Sequence, residues 1–198
     1  CFAIDLSAAD ERAQLFAALR AERPQVQALV NAAGYGKIGQ VAQIAPDEQS
    51  GMVDLNCTAL VDLTQRALPF MAAGSVIYEI ASVAAFLPQP GFAVYAATKA
   101  FVLSFSRALA AEQKRRGVRV VAVCPNPMHT AFFERAGETE SFKLLFFEKP
   151  RDVARAAMRD AAKGRDVSTN CRMASIIRIA AKMLPHRAII RIERLLMR

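Results

Sequence analysis

The sequence predicts an α/β fold in which a parallel sheet is covered by helices on both faces. Short runs rich in Val and Ile alternate along the chain with longer amphipathic segments, which is the pattern of strands joined by helical crossovers. The strand-like runs are apolar almost throughout, as expected for strands that are buried on both faces. With 198 residues, the chain is long enough for one domain with a substantial core.

Four segments are predicted to form strands, and each ends in residues suited to a ligand site. They are residues 2–6 (FAIDL), 26–34 (VQALVNAAG), 75–82 (SVIYEIAS) and 118–125 (VRVVAVCP). Ligands of parallel sheets of this kind bind at the carboxyl ends of the strands. The residues at these ends are small, polar or turn-forming, and they read Asp5-Leu6, Asn31-Ala32-Ala33-Gly34, Ala81-Ser82 and Pro125-Asn126-Pro127.

Helices are predicted between and after these strands. Their ranges are 7–22, 46–72, 92–116 and 150–163, followed by two basic helices that Pro185 separates. Ser7 is expected to cap the first helix, with Asp10 completing a capping box. Gly117 and Gly164 are expected to end the third and the fourth. The predicted organisation is one domain over residues 1–170, followed by basic amphipathic helices over residues 171–198.

The composition indicates a globular protein and excludes several classes. Apolar residues make up 54% of the chain and charged residues 22%, which excludes a disordered chain. The four cysteines lie far apart and no Cys/His cluster occurs, so we expect free thiols in a reducing cytoplasm rather than zinc or disulfides. The uncharged run over residues 80–98 contains Pro88-Gln89-Pro90-Gly91, which would break a membrane-spanning helix.

The net charge of +8 is concentrated at the end of the chain. Residues 171–198 hold seven Lys or Arg and one acid, so no nucleic-acid partner is expected for the domain itself. Such a basic amphipathic segment either lies on an anionic membrane surface or packs on its own domain or on a partner subunit. The residues that form the two sides are Arg187, Arg191, Arg194 and Arg198, opposite Ile189, Ile190, Ile192, Leu195 and Leu196.

Tyr95 and Lys99 form a conspicuous pair in an otherwise uncharged segment, GFAVYAATKA. Residues four apart on a helix share a face. A phenol ordinarily titrates near pH 10, and a nearby cation lowers its pKa. Such a pair can exchange a proton with an alcohol or carbonyl oxygen. The alternative is a core tyrosine beside a lysine whose stem lies along apolar surface.

Two further residues complete a pattern around this pair. Ser82 ends the predicted third strand 13 residues before Tyr95, and Asn56 lies in a predicted helix 26 residues before Ser82. In these four residues, and in NAAG at 31–34, the sequence resembles the short-chain dehydrogenase/reductase family over essentially its whole length. The resemblance implies a Rossmann-like doubly wound sheet and an NAD(P)-dependent oxidoreductase that interconverts a carbonyl and a secondary alcohol.

The resemblance also implies a role for each of the four residues. Tyr95 would exchange a proton with the substrate oxygen, while Lys99 would lower the pKa of Tyr95 and hydrogen-bond the nicotinamide ribose. Ser82 would hold the substrate oxygen, and Asn56 would hold a water molecule that connects Lys99 to solvent. The alternatives are that Ser82 only forms a turn and that Asn56 only bends its helix.

The cofactor that the resemblance implies is NAD or NADP. Asp5 would contact the adenine, Asn31 would tie neighbouring strands together, and Thr130 would contact the nicotinamide carboxamide. Asn126 stands where the family usually has Gly, and we expect it to adopt the left-handed backbone of that turn. The cofactor contacts implied in total are Asp5, Leu6, Asn31, Ala32, Gly34, Tyr95, Lys99, Pro125 and Thr130.

One part of the family's pattern has no counterpart in this sequence. No G-x-x-x-G-x-G turn for the pyrophosphate occurs, nor does the following strand end, where NAD and NADP are distinguished. We therefore expect residues 26–34 to form an exposed sheet edge, and the functional protein to be a longer chain of about 250 residues.

Residues 131–150 fall where the family's substrate loop lies, and they are strongly apolar. This favours either a lipophilic substrate, such as a fatty, steroid-like or aromatic ketone, or a lid that packs on the domain. The apolar residues are Phe132, Phe133, Phe142, Leu144, Leu145, Phe146 and Phe147. The resemblance further implies a small-molecule substrate and a homo-oligomer. The alternative function is a non-catalytic binding or membrane-surface protein with the same fold.

Overall fold

A computed structural model of the chain describes residues 1–128, 130, 132–137 and 147–196. Within this part, four parallel strands form one sheet in the order β1-β2-β3-β4. The register places Asn31 beside Glu79 and Ile80 beside Val123, so the carboxyl ends of three strands meet at one edge. The strands are β1 Ala28–Asn31, β2 Val76–Ile80, β3 Arg119–Val123 and β4 Val167–Ser168.

The helices cover both faces of this sheet. They are α1 Ala9–Glu22, α2 Pro46–Val53, α3 Leu60–Ala67, α4 Ala93–Gln113, α5 Phe132–Ala136, α6 Pro150–Ala162, α7 Arg172–Met183 and α8 His186–Leu196. Side chains of β3 alternate between the faces: Val120 and Ala122 pack on the side of α3 and α4, whereas Val121 and Val123 pack on α6. The predicted α/β fold with a doubly covered parallel sheet is confirmed.

The start of the chain differs from its prediction. Residues 2–6 form no strand, because a strand requires a hydrogen-bonded neighbour and, among the described residues, the edge strand β1 pairs only with β2. The capping prediction for Ser7 is also wrong. Ala8 precedes α1 without a side-chain cap, and the Ser7 hydroxyl instead donates to Asp5 Oδ1 over 2.7 Å.

The second predicted helix is confirmed over most of its length, with one interruption. Between α2 and α3 the backbone forms a π-helical turn, Asp54–Ala59, which contains Asn56. A π-helical turn shifts the direction of the side chains that follow it, and such turns are common at functional sites. The helical segment ends in a 3₁₀ turn, Leu68–Phe70.

The later elements follow the predictions closely. The helix predicted over residues 92–116 is α4 with a 3₁₀ turn, Lys114–Arg116, and Gly117 ends it at φ 70°. The predicted helices at Pro150 and on either side of Pro185 are present as α6, α7 and α8. Two-residue β4 was not predicted. The predictions for Phe142, Leu144, Leu145, Phe146 and Arg198 lie outside the described residues.

The described residues form an exposed sheet edge, and their helices lack the features of membrane spans. Strand β1 is the sheet edge, as expected, and Val30 on it is 58% exposed. None of the helices in this part of the chain combines the length and the apolar character needed to cross a bilayer.

Candidate active site

A cavity of about 940 Å³ opens at the carboxyl ends of β1, β2 and β3. Its position is the one at which parallel α/β sheets bind ligands. Most of the wall is apolar, and α6 and α7 contribute part of it, with residues such as Val153, Met158 and Ile177. The predicted site residues that line the cavity are Ala32, Gly34, Ser82, Tyr95, Lys99, Pro125 and Thr130.

Tyr95 lies in the first turn of α4, and its ring is held between two aromatic neighbours. The Phe92 ring stacks on it at a centroid distance of 4.3 Å, and the Phe132 ring lies 5.3 Å away in a tilted arrangement. Burial raises the pKa of Tyr95 to about 12, against the opposing effect of a hydrogen bond with the Ser82 side chain. Tyr95 is therefore a protonated phenol at neutral pH.

Lys99 lies one turn further along α4, on the same face as Tyr95. Its Nζ donates to the Ile80 carbonyl oxygen at the end of β2 over 2.7 Å and lies 5.7 Å from the centroid of the Tyr95 ring. Burial lowers the pKa of Lys99 to about 8, while Cys57, Cys124 and Glu79 act in the opposite direction. The carbonyl of Ile80 thus holds the Lys99 ammonium at the base of the cavity. Its pKa lies much closer to neutral pH than that of an ordinary lysine.

The pKa of Tyr95 is shifted upward, opposite to the prediction. Lys99 was expected to lower the pKa of Tyr95, but burial dominates and the pKa is raised. The two values supply the reason: Lys99 loses its proton at a lower pH than Tyr95, so it is neutral where the phenol titrates. A neutral amine exerts no charge attraction on the phenolate.

Ser82 follows β2 and begins a short 3₁₀ turn, Val83–Phe86. Its Oγ accepts a hydrogen bond from the Ala84 N–H over 3.1 Å, which fixes the side chain, and it is hydrogen-bonded with Tyr95. The next residue, Val83, donates its N–H to the Pro125 carbonyl over 3.1 Å, which joins the ends of β2 and β3. The serine and tyrosine hydroxyls therefore face one point in the cavity.

Asn56 is buried in the π-helical turn, and its amide joins three segments. Its Oδ1 accepts the Tyr35 backbone N–H over 3.0 Å, and its Nδ2 donates to the Tyr35 carbonyl over 2.9 Å. The same Nδ2 donates to Thr98 Oγ1, whose hydroxyl in turn donates to the Tyr95 carbonyl. Asn56 thus links the loop after β1 to the helix that carries Tyr95 and Lys99.

Gly34 occupies a position where a side chain does not fit. A Cβ at this residue would lie 2.8 Å from Asn56 Oδ1 and 3.5 Å from Lys99 Nζ. The glycine therefore leaves bare backbone beside the lysine at the cavity wall. An open cradle of small residues and backbone next to a cation fits the ribose and amide portions of a dinucleotide.

A buried polar cluster lies behind the cavity and was not predicted as a unit. Asn31 Nδ2 donates to Thr64 Oγ1 and to Glu79 Oε2, over 2.8 and 3.0 Å, and the Thr64 hydroxyl donates to Glu79 Oε1 over 2.8 Å. Asn31 in this way connects β1, β2 and α3. The signal that could have revealed Glu79 is an acid in the middle of the apolar run SVIYEIAS.

Three of the predicted cofactor contacts do not line the cavity: Asp5, Leu6 and Asn31. Asp5 is exposed, and hydrogen bonds from Ser7 lower its pKa. The prediction of a left-handed backbone at Asn126 is wrong, because φ of this residue is not positive. Its N–H donates to Glu148 Oε2 over 3.1 Å. Thr130 does reach the cavity wall.

Comparisons with known proteins agree with this geometry. A family model described as short chain dehydrogenase matches residues 1–141. Among curated proteins, the uncharacterized oxidoreductase YghA of Escherichia coli (strain K12) is 36% identical over 119 residues. This match covers 60% of the present chain and 40% of that protein, so the chain spans less than half the length of this relative.

Two similar solved structures extend the comparison. A short-chain dehydrogenase from Sphingobium yanoikuyae, in complex with NADPH, is 27% identical with a TM-score of 0.79, covering 92% of this chain and 71% of that one. A bulky-bulky ketone specific alcohol dehydrogenase from Comamonas testosteroni is 26% identical with a TM-score of 0.70, covering 91% and 70% respectively.

Proposed function

The chain belongs to the short-chain dehydrogenase/reductase family, and we propose that it forms the catalytic part of an NAD(P)-dependent oxidoreductase acting on a carbonyl and alcohol pair. The observation that carries the proposal is that Ser82, Tyr95 and Lys99 line one cavity, with Ser82 Oγ fixed by the Ala84 N–H and Lys99 Nζ 5.7 Å from the centroid of the Tyr95 ring. A nicotinamide dinucleotide, when bound, supplies or takes up the hydride. The chain's own residues supply orientation and the proton.

The proton step follows from the ionisation of Tyr95. Because its pKa lies near 12, Tyr95 is a protonated donor that can give its proton to a carbonyl oxygen held by the Ser82 hydroxyl. The phenolate left behind is costly in this buried position, and a positive Lys99 one helical turn away reduces that cost. In the direction of alcohol oxidation the same groups take the proton up.

The residues present fit the nicotinamide and ribose portion of a dinucleotide at the wall that carries Gly34. Lys99, Ala32, Gly34, Pro125 and Thr130 would hold it, with Lys99 donating to ribose hydroxyls and the small residues offering backbone. Asn56 does not line the cavity, so it would affect a bound cofactor only indirectly, through its two hydrogen bonds to the backbone of Tyr35. The neighbour solved with NADPH supports a nicotinamide cofactor.

We assign the substrate to the lipophilic ketones and secondary alcohols. The residues that α6 and α7 contribute to the cavity are aliphatic, among them Val153, Met158 and Ile177, and an apolar wall favours an apolar substrate. A structural relative is named for bulky ketones, which agrees with this substrate class.

The proposal is tested with the protein that carries this chain, assayed for oxidation of NADH and NADPH with a series of bulky ketones. Tyr95→Phe should lower kcat at least about 1,000-fold while dinucleotide affinity changes less than about threefold. Tyr35→Phe is the matched control, because its hydroxyl donates to the Glu48 carbonyl and not to Ser82. Full turnover in Tyr95→Phe would exclude the mechanism.

We also propose that the C-terminal helices attach the protein to anionic membrane surfaces. Ile176, Ile179 and Met183 share the outer face of α7 and are 58%, 60% and 78% exposed. Lys182 of α7 and Arg187 of α8 are exposed as well. The opposite side of α7 lines the cavity, so attachment would bring lipophilic substrate close to its site.

Vesicle sedimentation tests the attachment. Vesicles containing phosphatidylserine should retain the protein, those of phosphatidylcholine alone should not, and Ile176→Ser with Ile179→Ser should abolish retention. Retention that does not depend on lipid charge would contradict the proposal.

Self-association is proposed through α4. Phe101 is 44% exposed and stacks in parallel on Phe105 at 6.1 Å, which leaves an aromatic patch on the outer side of this helix. Phe101→Ser should shift the sedimentation coefficient toward that of a monomer, and an unchanged oligomer would exclude this face.

A further inference from the structure

Glu79 is a completely buried carboxylate in the middle of β2. Its exposure is 0%, and charged side chains are almost never buried to this degree unless a partner compensates them. The two hydrogen bonds that it accepts come from Asn31 and Thr64, both neutral side chains. These bonds orient the carboxylate but do not balance its charge.

The cation that acts on the charge of Glu79 is Lys99. The Lys99 ammonium donates to the carbonyl of Ile80, the residue directly after Glu79, and the two side chains interact electrostatically. The described residues contain no carboxylate in an ion pair with Lys99 at salt-bridge distance, which leaves Lys99 with a carbonyl as its direct partner. Lys99 itself is only 6% exposed.

The other titratable groups around Lys99 are neutral at physiological pH. Cys57 faces it from the π-helical turn, Cys124 from the end of β3, and Tyr95 from its own helix. Burial raises the pKa of Cys57 to about 11, and that of Cys124 and Tyr95 to about 12. Glu79 is thus the group that can offset the charge of Lys99.

We propose that Glu79, fixed by Asn31 and Thr64, is the buried counter-charge that keeps Lys99 in its ammonium form at the base of the cavity. Glu79 is a positioning residue, since it acts on Lys99 and does not touch the cavity. The consequence for turnover rests on the proposed function, because a positive Lys99 matters to catalysis only if Tyr95 exchanges a proton.

Burial disfavours the charge of both groups. It raises the pKa of Glu79 to about 7 and lowers that of Lys99 to about 8, while each charge favours the other. Removing the carboxylate should therefore lower the pKa of Lys99 further.

NMR of protein labelled with ¹³C at lysine Cε tests the proposal without any need for turnover. The Lys99 signal, identified by its loss in Lys99→Arg, should titrate near pH 8 in the wild type. In Glu79→Gln the midpoint should fall by about one pH unit, because the attraction that favours the ammonium is lost. An unchanged or higher midpoint in the folded variant overturns the proposal.

A second buried carboxylate provides the matched control. Asp160 in α6 is 2% exposed and accepts from Ser168 and Arg165, with no contact to Lys99. Asp160→Asn should leave the Lys99 midpoint where it is. An equal fall in this variant would show a general effect of removing buried charge and would also overturn the proposal.

Two further measurements keep the outcome unambiguous. If Glu79→Gln does not fold, Thr64→Val retains the carboxylate but removes a hydrogen bond that favours its charged form, and the Lys99 midpoint should fall by less, in the same direction. The alkaline limb of the pH profile of kcat/KM should shift to lower pH together with the titration midpoint of Lys99. Wild-type protein that turns over no ketone would contradict the proposed function, while the NMR result would still decide the role of Glu79.

Discussion

Asn56 clamps the backbone of Tyr35 by accepting its N–H and donating to its carbonyl, over 3.0 and 2.9 Å. The clamp holds the loop after β1 against the helix that carries Tyr95. In Asn56→Ala both backbone groups lose their partner inside the protein, so the free energy of unfolding should fall by about 2–4 kcal/mol. Urea denaturation followed by circular dichroism measures this loss.

A control on the same network separates the clamp from general packing. Thr98→Val keeps the shape of the side chain and removes only the hydroxyl that joins Asn56 to the Tyr95 carbonyl. It should cost about 1 kcal/mol. If both variants lost the same free energy of unfolding, the hydrogen bonds of Asn56 to the Tyr35 backbone would make no measurable contribution to stability.

Gly34→Ala should damage the site because its Cβ would lie 2.8 Å from Asn56 Oδ1. We expect the variant to lose at least about 2 kcal/mol of stability, and dinucleotide affinity to fall at least about tenfold as Asn56 is displaced. Calorimetric titration with NADPH and NADH measures the affinity.

The double variant Gly34→Ala with Asn56→Ala tests the cause. Removing the amide makes room for the new methyl group, so the double variant should be more stable than the sum of the two single losses predicts. Strict additivity would show that the clash is not the origin of the damage.

The sequence allowed prediction of those site features that depend on short separations along the chain. Tyr95 and Lys99 share a face because they are four apart on a helix, and Ser82 meets them because it ends the neighbouring strand. Gly117 ended α4 as its backbone freedom suggested. In each case the information lies within a few residues of the feature.

The remainder depends on tertiary contacts that no local pattern carries. Glu79 receives its hydrogen bonds from residues 48 and 15 positions away, so its partners become visible only in the fold. The pKa of Tyr95 is set by burial, which reversed the direction expected from Lys99 alone. Residues 2–6 have the composition of a strand, but β1 pairs only with β2 and leaves them without a neighbour.

The reactivity of the cysteines should follow their burial. Burial raises the pKa of Cys57 to about 11 and that of Cys124 to about 12, so neither forms a thiolate near neutrality, whereas Cys1 is exposed. Iodoacetamide at pH 7.5, about the physiological value, should label Cys1 at least about 100-fold faster than either buried thiol, as peptide mass spectrometry can measure. Fast labelling of Cys57 in the folded protein would contradict the burial of the π-helical turn.

Glu79 should make the stability of the protein depend on pH. Burial raises its pKa from 4.5 in the unfolded chain to about 7 in the fold, so the folded state binds a proton that the unfolded state has lost between these values. The contribution of Glu79 to stability is therefore present below pH 4.5 and is lost as the pH rises to 7, by on the order of 3 kcal/mol. Urea denaturation at a series of pH values should show this dependence of the unfolding free energy on pH in the wild type and not in Glu79→Gln.

Glu148→Gln is the control variant. Burial raises the pKa of Glu148 too, but this side chain is only partly buried, so the slope of the unfolding free energy against pH should change less than in Glu79→Gln. A Glu79→Gln variant with the wild-type slope would mean that the buried carboxylate does not titrate in this range.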